Sequence, residues 1–155
     1  MAKDNWQTPK DLFDKLDHEF NFDVDVACND KNCLCDCGLT DSLNVLDWAM
    51  LPDYPNMIFW MNPPYSRGNI DKFCKKAYDE SQKGCTVVGL LPGDCSTKWF
   101  HEYVMRADEI RFLKRRVRFI DPDTGKKAGS PTFGNIVVVW RPGAVDAPKV
   151  CAYDW

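Results

Sequence analysis

The sequence predicts an α/β fold: a three-layer sheet in which strands alternate with helices and which ends in an antiparallel hairpin. Three observations carry this. The runs 57–61 and 85–92 are almost continuously apolar, as strands covered on both faces are. Segments with apolar residues at three- and four-residue spacing precede, separate and follow these runs, as helices packed on the sheet would. The last strand patterns have little helix between them, so they return antiparallel. The chain has 155 residues, 45% hydrophobic and 28% charged, enough for one domain over 1–155 and too few for a second.

Each element has its own local reason. Thr8-Pro9 opens the first helix, with Thr8 as N-cap, Pro9 in the first turn and Asp11 and Asp14 near the positive dipole end. Leu12, Phe13, Leu16 and Phe20 form its apolar stripe. Residues 22–27 alternate as a short strand. Residues 28–44 are polar and cysteine-rich and read as loop; 45–48 form a short element of open type. Residues 57–62 form the strand before a Pro-Pro turn. Ile70, Phe73, Ala77 and Tyr78 mark a helix over 70–82, stopped near Gly84. After strand 85–92, Ser96 caps a helix over 97–107 with Trp99, Phe100, Tyr103 and Val104 on one side. Residues 110–120 alternate again, 121–125 turn, and 136–140 are the last strong strand. From Arg141 onward a proline-containing tail is expected.

Composition narrows the function classes. No apolar leader follows Met1 and no run approaches a membrane helix, which reads as a cytoplasmic protein. Eight cysteines without a secretory context are expected as reduced thiols. Cys28, Cys33, Cys35 and Cys37 are too closely spaced for a comfortable zinc tetrahedron, so no metal is expected. His18 and His101 sit in helical patterns as packing residues, which disfavours hydrolytic catalysis. The net charge of −3 hides a basic region: from Arg106 to Lys127 there are eight Lys/Arg against four Asp/Glu.

The chemistry concentrates at Asn62-Pro63-Pro64-Tyr65. Two prolines forbid further strand or helix, so an amide, two exposed backbone carbonyls and an aromatic ring gather at a strand's C-terminal end. In open α/β sheets ligands bind there. An exocyclic amine on an aromatic ring is a poor nucleophile, because its lone pair is delocalised. The Asn62 side-chain oxygen and the Pro63 carbonyl suit its two N–H groups, and Tyr65 suits its ring face.

Several stretches together resemble the small phage-type DNA N6-adenine methyltransferases, the Dam-like group. They are Trp6 to Pro9, Asp23 to Asn29, Asp41 to Trp48, Asn62 to Tyr65, Leu90 to Pro92, Trp99 to His101 and Arg116 to Phe119, in the expected order. The resemblance implies a minimal Rossmann-like fold, S-adenosylmethionine as methyl donor and a flipped-out adenine in DNA as acceptor. It implies that Asn62, Pro63, Pro64 and Tyr65 are catalytic. It also implies that Trp6, Thr8, Pro9, Asp25, Ala27 and Asp47 hold the donor. No G-x-G-x-x-G loop is present, and the donor has no phosphate to need one.

Two further expectations complete the reading. In the basic stretch, Arg116 and Arg118 share one face of an edge strand and grip phosphates, while Arg115 takes the other face. Loops 29–44 and 121–134 are the segments left over for target recognition. The alternatives are a non-catalytic nucleic-acid or metal-binding module on the same fold, and methylation of cytosine N4 or a glutamine amide, whose amines need a similar grip.

Overall fold

The computed structural model describes residues 6–39, 48, 54–66, 68–129, 132–143 and 145–155. Three helices are present among these residues: α1 (Lys10–Phe20), α2 (Asn69–Ser81) and α3 (Lys98–Glu102), the last followed by a 3-10 turn at Val104–Arg106. Seven strands form one sheet: β1 (Val24–Asp25), β2 (Cys37–Gly38), β3 (Ile58–Met61), β4 (Thr86–Pro92), β5 (Glu109–Leu113), β6 (Asn135–Trp140) and β7 (Lys149–Tyr153). Their spatial order is β2-β1-β3-β4-β6-β5-β7.

Strands β2, β1, β3 and β4 pair parallel. Strand β6 runs antiparallel between β4 and β5. The last strands expected as a terminal antiparallel hairpin do pair antiparallel, as β5 and β6, but a long segment joins them and they do not end the sheet. The segment read as a tail supplies β7, which joins β5 in parallel as the outer strand. Lys149, Val150 and Cys151 gave no buried period because an edge strand is mostly exposed.

Alternation along the strands sorts the core into two layers. Phe59, Met61, Val87, Leu91, Val138 and Trp140 face α2 and α3, where Ile70, Phe73, Ala77, Trp99 and Phe100 meet them. Trp60, Val88, Leu90, Val137 and Val139 face α1 and meet Leu12, Phe13, Leu16 and Phe20. Helices thus cover both faces, and the mixed α/β sheet has three layers. Trp48 is fully buried against Phe59, ring centroids 4.8 Å apart.

Local readings shift at several ends. Pro9, not Thr8, occupies the N-cap position of α1, and no side chain caps that helix. Thr97 rather than Ser96 precedes α3, because its backbone is still extended (φ −82°, ψ 154°). Strand β5 stops at Leu113, so Arg116 and Arg118 do not lie on a strand. Their alternation survives only as burial: Val117 and Phe119 enter the α1-side core while Arg116 and Arg118 stay exposed. In the cysteine loop, Asn29 and Asn32 close a tight turn, with the Asn29 N–H 2.6 Å from Asn32 Oδ1. That turn brings Cys28 and Cys33 together as a disulfide, Cα atoms 4.9 Å apart, which corrects the expectation of reduced thiols there. Gly38 passes so close that a Cβ would lie 2.4 Å from both sulfurs. No helix among the described residues is long and apolar enough to cross a membrane.

Candidate active site

The parallel strands β1 and β3 end side by side, Asp25 opposite Trp60, and the chain that leaves β3 builds the site. Trp60 points toward α1, and two residues on, Asn62 leaves the sheet on the same side. The N-terminal segment crosses this point. Asn62 Nδ2 donates to the Trp6 carbonyl at 3.2 Å. A carbonyl can only accept, so the amide is oriented with Oδ1 as the group left to receive a hydrogen bond. Pro63 is buried behind it, and Gly68, at φ +84°, turns the chain from the proline pair into α2.

Tyr65 is held by its hydroxyl. The O–H donates to the Leu90 carbonyl at 2.9 Å and accepts from Asn135 Nδ2 at 3.1 Å. Burial pushes its ionisation far above the ordinary tyrosine value, so the group is neither acid nor base at working pH. Phe119 meets the ring edge-on at 6.0 Å between centroids, and the half-exposed Phe133 lies at 6.2 Å. A cleft of about 340 Å³ opens beside Tyr65, lined also by Ser66, Ile70, Asp71, Thr97 and Trp99. Neither Asn62 nor the N-terminal segment lines it, so it lies beside the amide's site rather than over it.

Thr8 is 1% exposed, and its Oγ1 has no hydrogen-bond partner among the described residues. A cap would have used that oxygen; instead it is a buried acceptor and donor at the rim. Gln7 makes a two-bond bridge to Ile120, each N–H to the other's carbonyl at 2.9 Å. The N-terminal segment therefore touches both the Asn62 amide and the segment that follows the arginines.

A family model for DNA N-6-adenine-methyltransferase (Dam) matches residues 1–151. The chain belongs to this family. It is 34% identical over 146 residues to the DNA N-6-adenine-methyltransferase of Haemophilus phage HP1, covering 92% of this chain and 81% of that protein. It is 29% identical over 158 residues to the protein of the same name from Escherichia phage T1, covering 90% of this chain. It spans only 63% of the T1 protein's length.

Within this Dam-family chain the sequence-derived site residues separate into groups. Trp6, Thr8, Pro9, Asn62 and Tyr65 gather around the end of β3. Asp25 is there too, but its carboxylate turns inward: Oδ1 accepts from the Ala27 N–H and Oδ2 from the Leu34 N–H, both at 3.2 Å. Burial raises its pKa to about 6, and those two N–H groups hold it down. Asp25 shapes the turn at Ala27 rather than offering a bare carboxylate. Asp47 lies outside the described residues. Of the cysteine cluster, two sulfurs are spent in the disulfide, and burial pushes the Cys35 thiol up to about 12. Among the described residues no three His, Cys, Asp or Glu are grouped to hold a metal. Arg115 stacks on Trp155 at 4.5 Å, and Arg118 Nε donates to the Ala128 carbonyl at 3.1 Å.

Sequence reasoning missed Asn135, Phe133 and the Gln7 bridge. Asn135 stands at the mouth of a strand pattern, where a polar residue reads as a boundary. A backbone bridge such as Gln7–Ile120 leaves no trace in side-chain type.

Proposed function

We propose that this chain transfers a methyl group from S-adenosylmethionine to the exocyclic N6 of an adenine flipped out of DNA, on a minimal Rossmann-like methyltransferase fold. The observation that carries it is the Asn62 amide, locked by the Trp6 carbonyl with its oxygen free to accept, one turn from an anchored tyrosine ring. Asn62 Oδ1 and the Pro63 carbonyl hold the two amine hydrogens. Polarising both N–H bonds raises the nitrogen lone pair out of the ring and aims it. Neither acceptor is a strong base, so the extra proton passes to water after the N–C bond has formed. Tyr65 supplies a stacking face and no proton.

The Trp6–Pro9 segment, with the turn at Asp25 and Ala27 and with Asp47, would hold the donor. The Thr8 hydroxyl, buried and without a partner among the described residues, fits a polar group of that donor, since a buried hydroxyl left unpaired is otherwise a loss. Bound S-adenosylmethionine supplies a methyl carbon made electrophilic by a positively charged sulfur. The one antiparallel strand, β6, beside the parallel set supports the Rossmann-like reading. Arg116 and Arg118 would position DNA through phosphates. The family relatives support a phage origin.

The test is to incubate the protein with labelled donor and unmethylated duplex DNA, digest, and separate the nucleosides. Label in N6-methyladenine is expected. Label in N4-methylcytosine, or none while the donor binds, overturns the assignment.

A further inference from the structure

We propose that Asn135 is a positioning residue for Tyr65, fixing the plane of the ring on which the flipped base stacks; this rests on the reading of the Asn62–Tyr65 rim given above. Asn135 opens β6 opposite Pro92, is 4% exposed, and begins a row that continues as Val137 and Val139 against α1. It is the one polar side chain in that row of β6.

Its hydrogen bonds are specific. Nδ2 has two hydrogens and two acceptors: the Tyr65 hydroxyl at 3.1 Å and the Leu91 carbonyl at 3.2 Å. The Tyr65 hydroxyl has one hydrogen, given to Leu90. Every donor of the pair is used, which fixes both the amide and the phenol. Oδ1 is buried and accepts nothing among the described residues. A buried amide with an idle oxygen is worse for stability than an apolar side chain of the same size. Packing alone therefore does not explain an asparagine here; the clamp on Tyr65 does. Phe119 and Phe133 limit the ring from its sides, but rings in contact with rings can still slide in plane. The two bonds at the hydroxyl remove that freedom, and a stacking surface held still aligns the base with Asn62.

The test uses Asn135→Leu, which keeps the volume and removes the donors, and Tyr65→Phe, which removes the hydroxyl from the other side. Single-turnover methyl transfer, donor affinity, and the fluorescence of 2-aminopurine at the target position are read for each variant and the double. With the wild-type protein methylating DNA, each single variant is expected to lose about 10-fold or more in rate, within the range that small misplacements cause. Each is expected to shift the 2-aminopurine signal and keep wild-type donor affinity. The double variant should be no slower than the slower single, because both break one unit. Multiplying effects in the double, or a wild-type rate and signal in Asn135→Leu, would overturn the proposal. If Asn135→Leu loses donor binding through misfolding, Tyr65→Phe decides alone, and an unchanged signal there overturns it. A wild-type protein that methylates a different amine fails the proposed function but leaves this comparison intact.

Discussion

The two halves of the sheet are built differently. In the parallel half, β1 and β3 run toward one rim and stop early, and the chain leaving them is irregular: a turn at Ala27, a double proline after Asn62. Among the described residues, Thr8 Oγ1 at that rim has no partner, and the Asn62 amide is turned so that Oδ1 can accept. In the other half, an ion-pair network ties β5 and the end of β6 to α1. Arg111, 6% exposed, grips Glu19 of α1 with two bonds at 2.7 Å and also meets Glu109, which Arg141 holds at 2.6 Å. An ion-pair network of this kind fixes a scaffold, and the end of parallel strands in an open sheet is where a ligand would bind.

If this division is real, variants should separate along it. The largest effect belongs to the rim. Asn62→Ala removes the proposed amine acceptor and the bond to Trp6, and turnover should fall about 10²–10³-fold. Donor affinity by calorimetry should stay close to wild type. Arg111→Met acts in the other half. It strands Glu19, which is partly solvated, while Glu109 keeps Arg141, so the loss should be about 1–3 kcal/mol, below that for a fully buried pair. Urea midpoints should report this, while turnover per folded molecule stays unchanged.

Asp25 offers a pH test of the rim's frame. Its pKa is raised from 3.8 to about 6 by burial. A raised carboxyl favours the folded state fully below its unfolded value, and that advantage disappears as pH rises through the folded one. Wild type should therefore lose up to about 3 kcal/mol relative to Asp25→Asn between about pH 4 and pH 7, with no further change above. A flat difference across that window would mean Asp25 is solvated. The smallest effect concerns the arginines. Replacing Arg116 and Arg118 together should flatten the salt dependence of DNA binding by about one log–log unit for each lost contact. Arg115→Ala, whose guanidinium is stacked on Trp155, should leave that slope unchanged.

The sequence made the rim easier to read than its frame. The apolar runs around Phe59 and Val88, and the stripe Leu12-Leu16-Phe20, are periodic, so their elements and faces were legible. Asn62 to Tyr65 was legible because prolines leave few conformations. Thr8 was misread as a cap for a physical reason: threonine before proline is a common helix start, and only Pro9's taking the N-cap position itself shows otherwise. The stretch after Leu113 kept its alternation although it leaves the sheet, because burial sets the period and pairing does not. β7 was invisible since an exposed edge has no apolar pattern, and the Cys28–Cys33 bond depends on a turn that Asn29 and Asn32 make through side-chain contacts.

The most direct measurement sets Asn62→Ala beside Arg111→Met and reads single-turnover methyl transfer and urea midpoint for both. The account predicts a crossing: Asn62→Ala slow at a near-wild-type midpoint, Arg111→Met destabilised at a near-wild-type rate while folded. If rate and midpoint fall together in both variants, or if Asn62→Ala transfers methyl at the wild-type rate, the rim at the end of β3 is not where the chemistry resides.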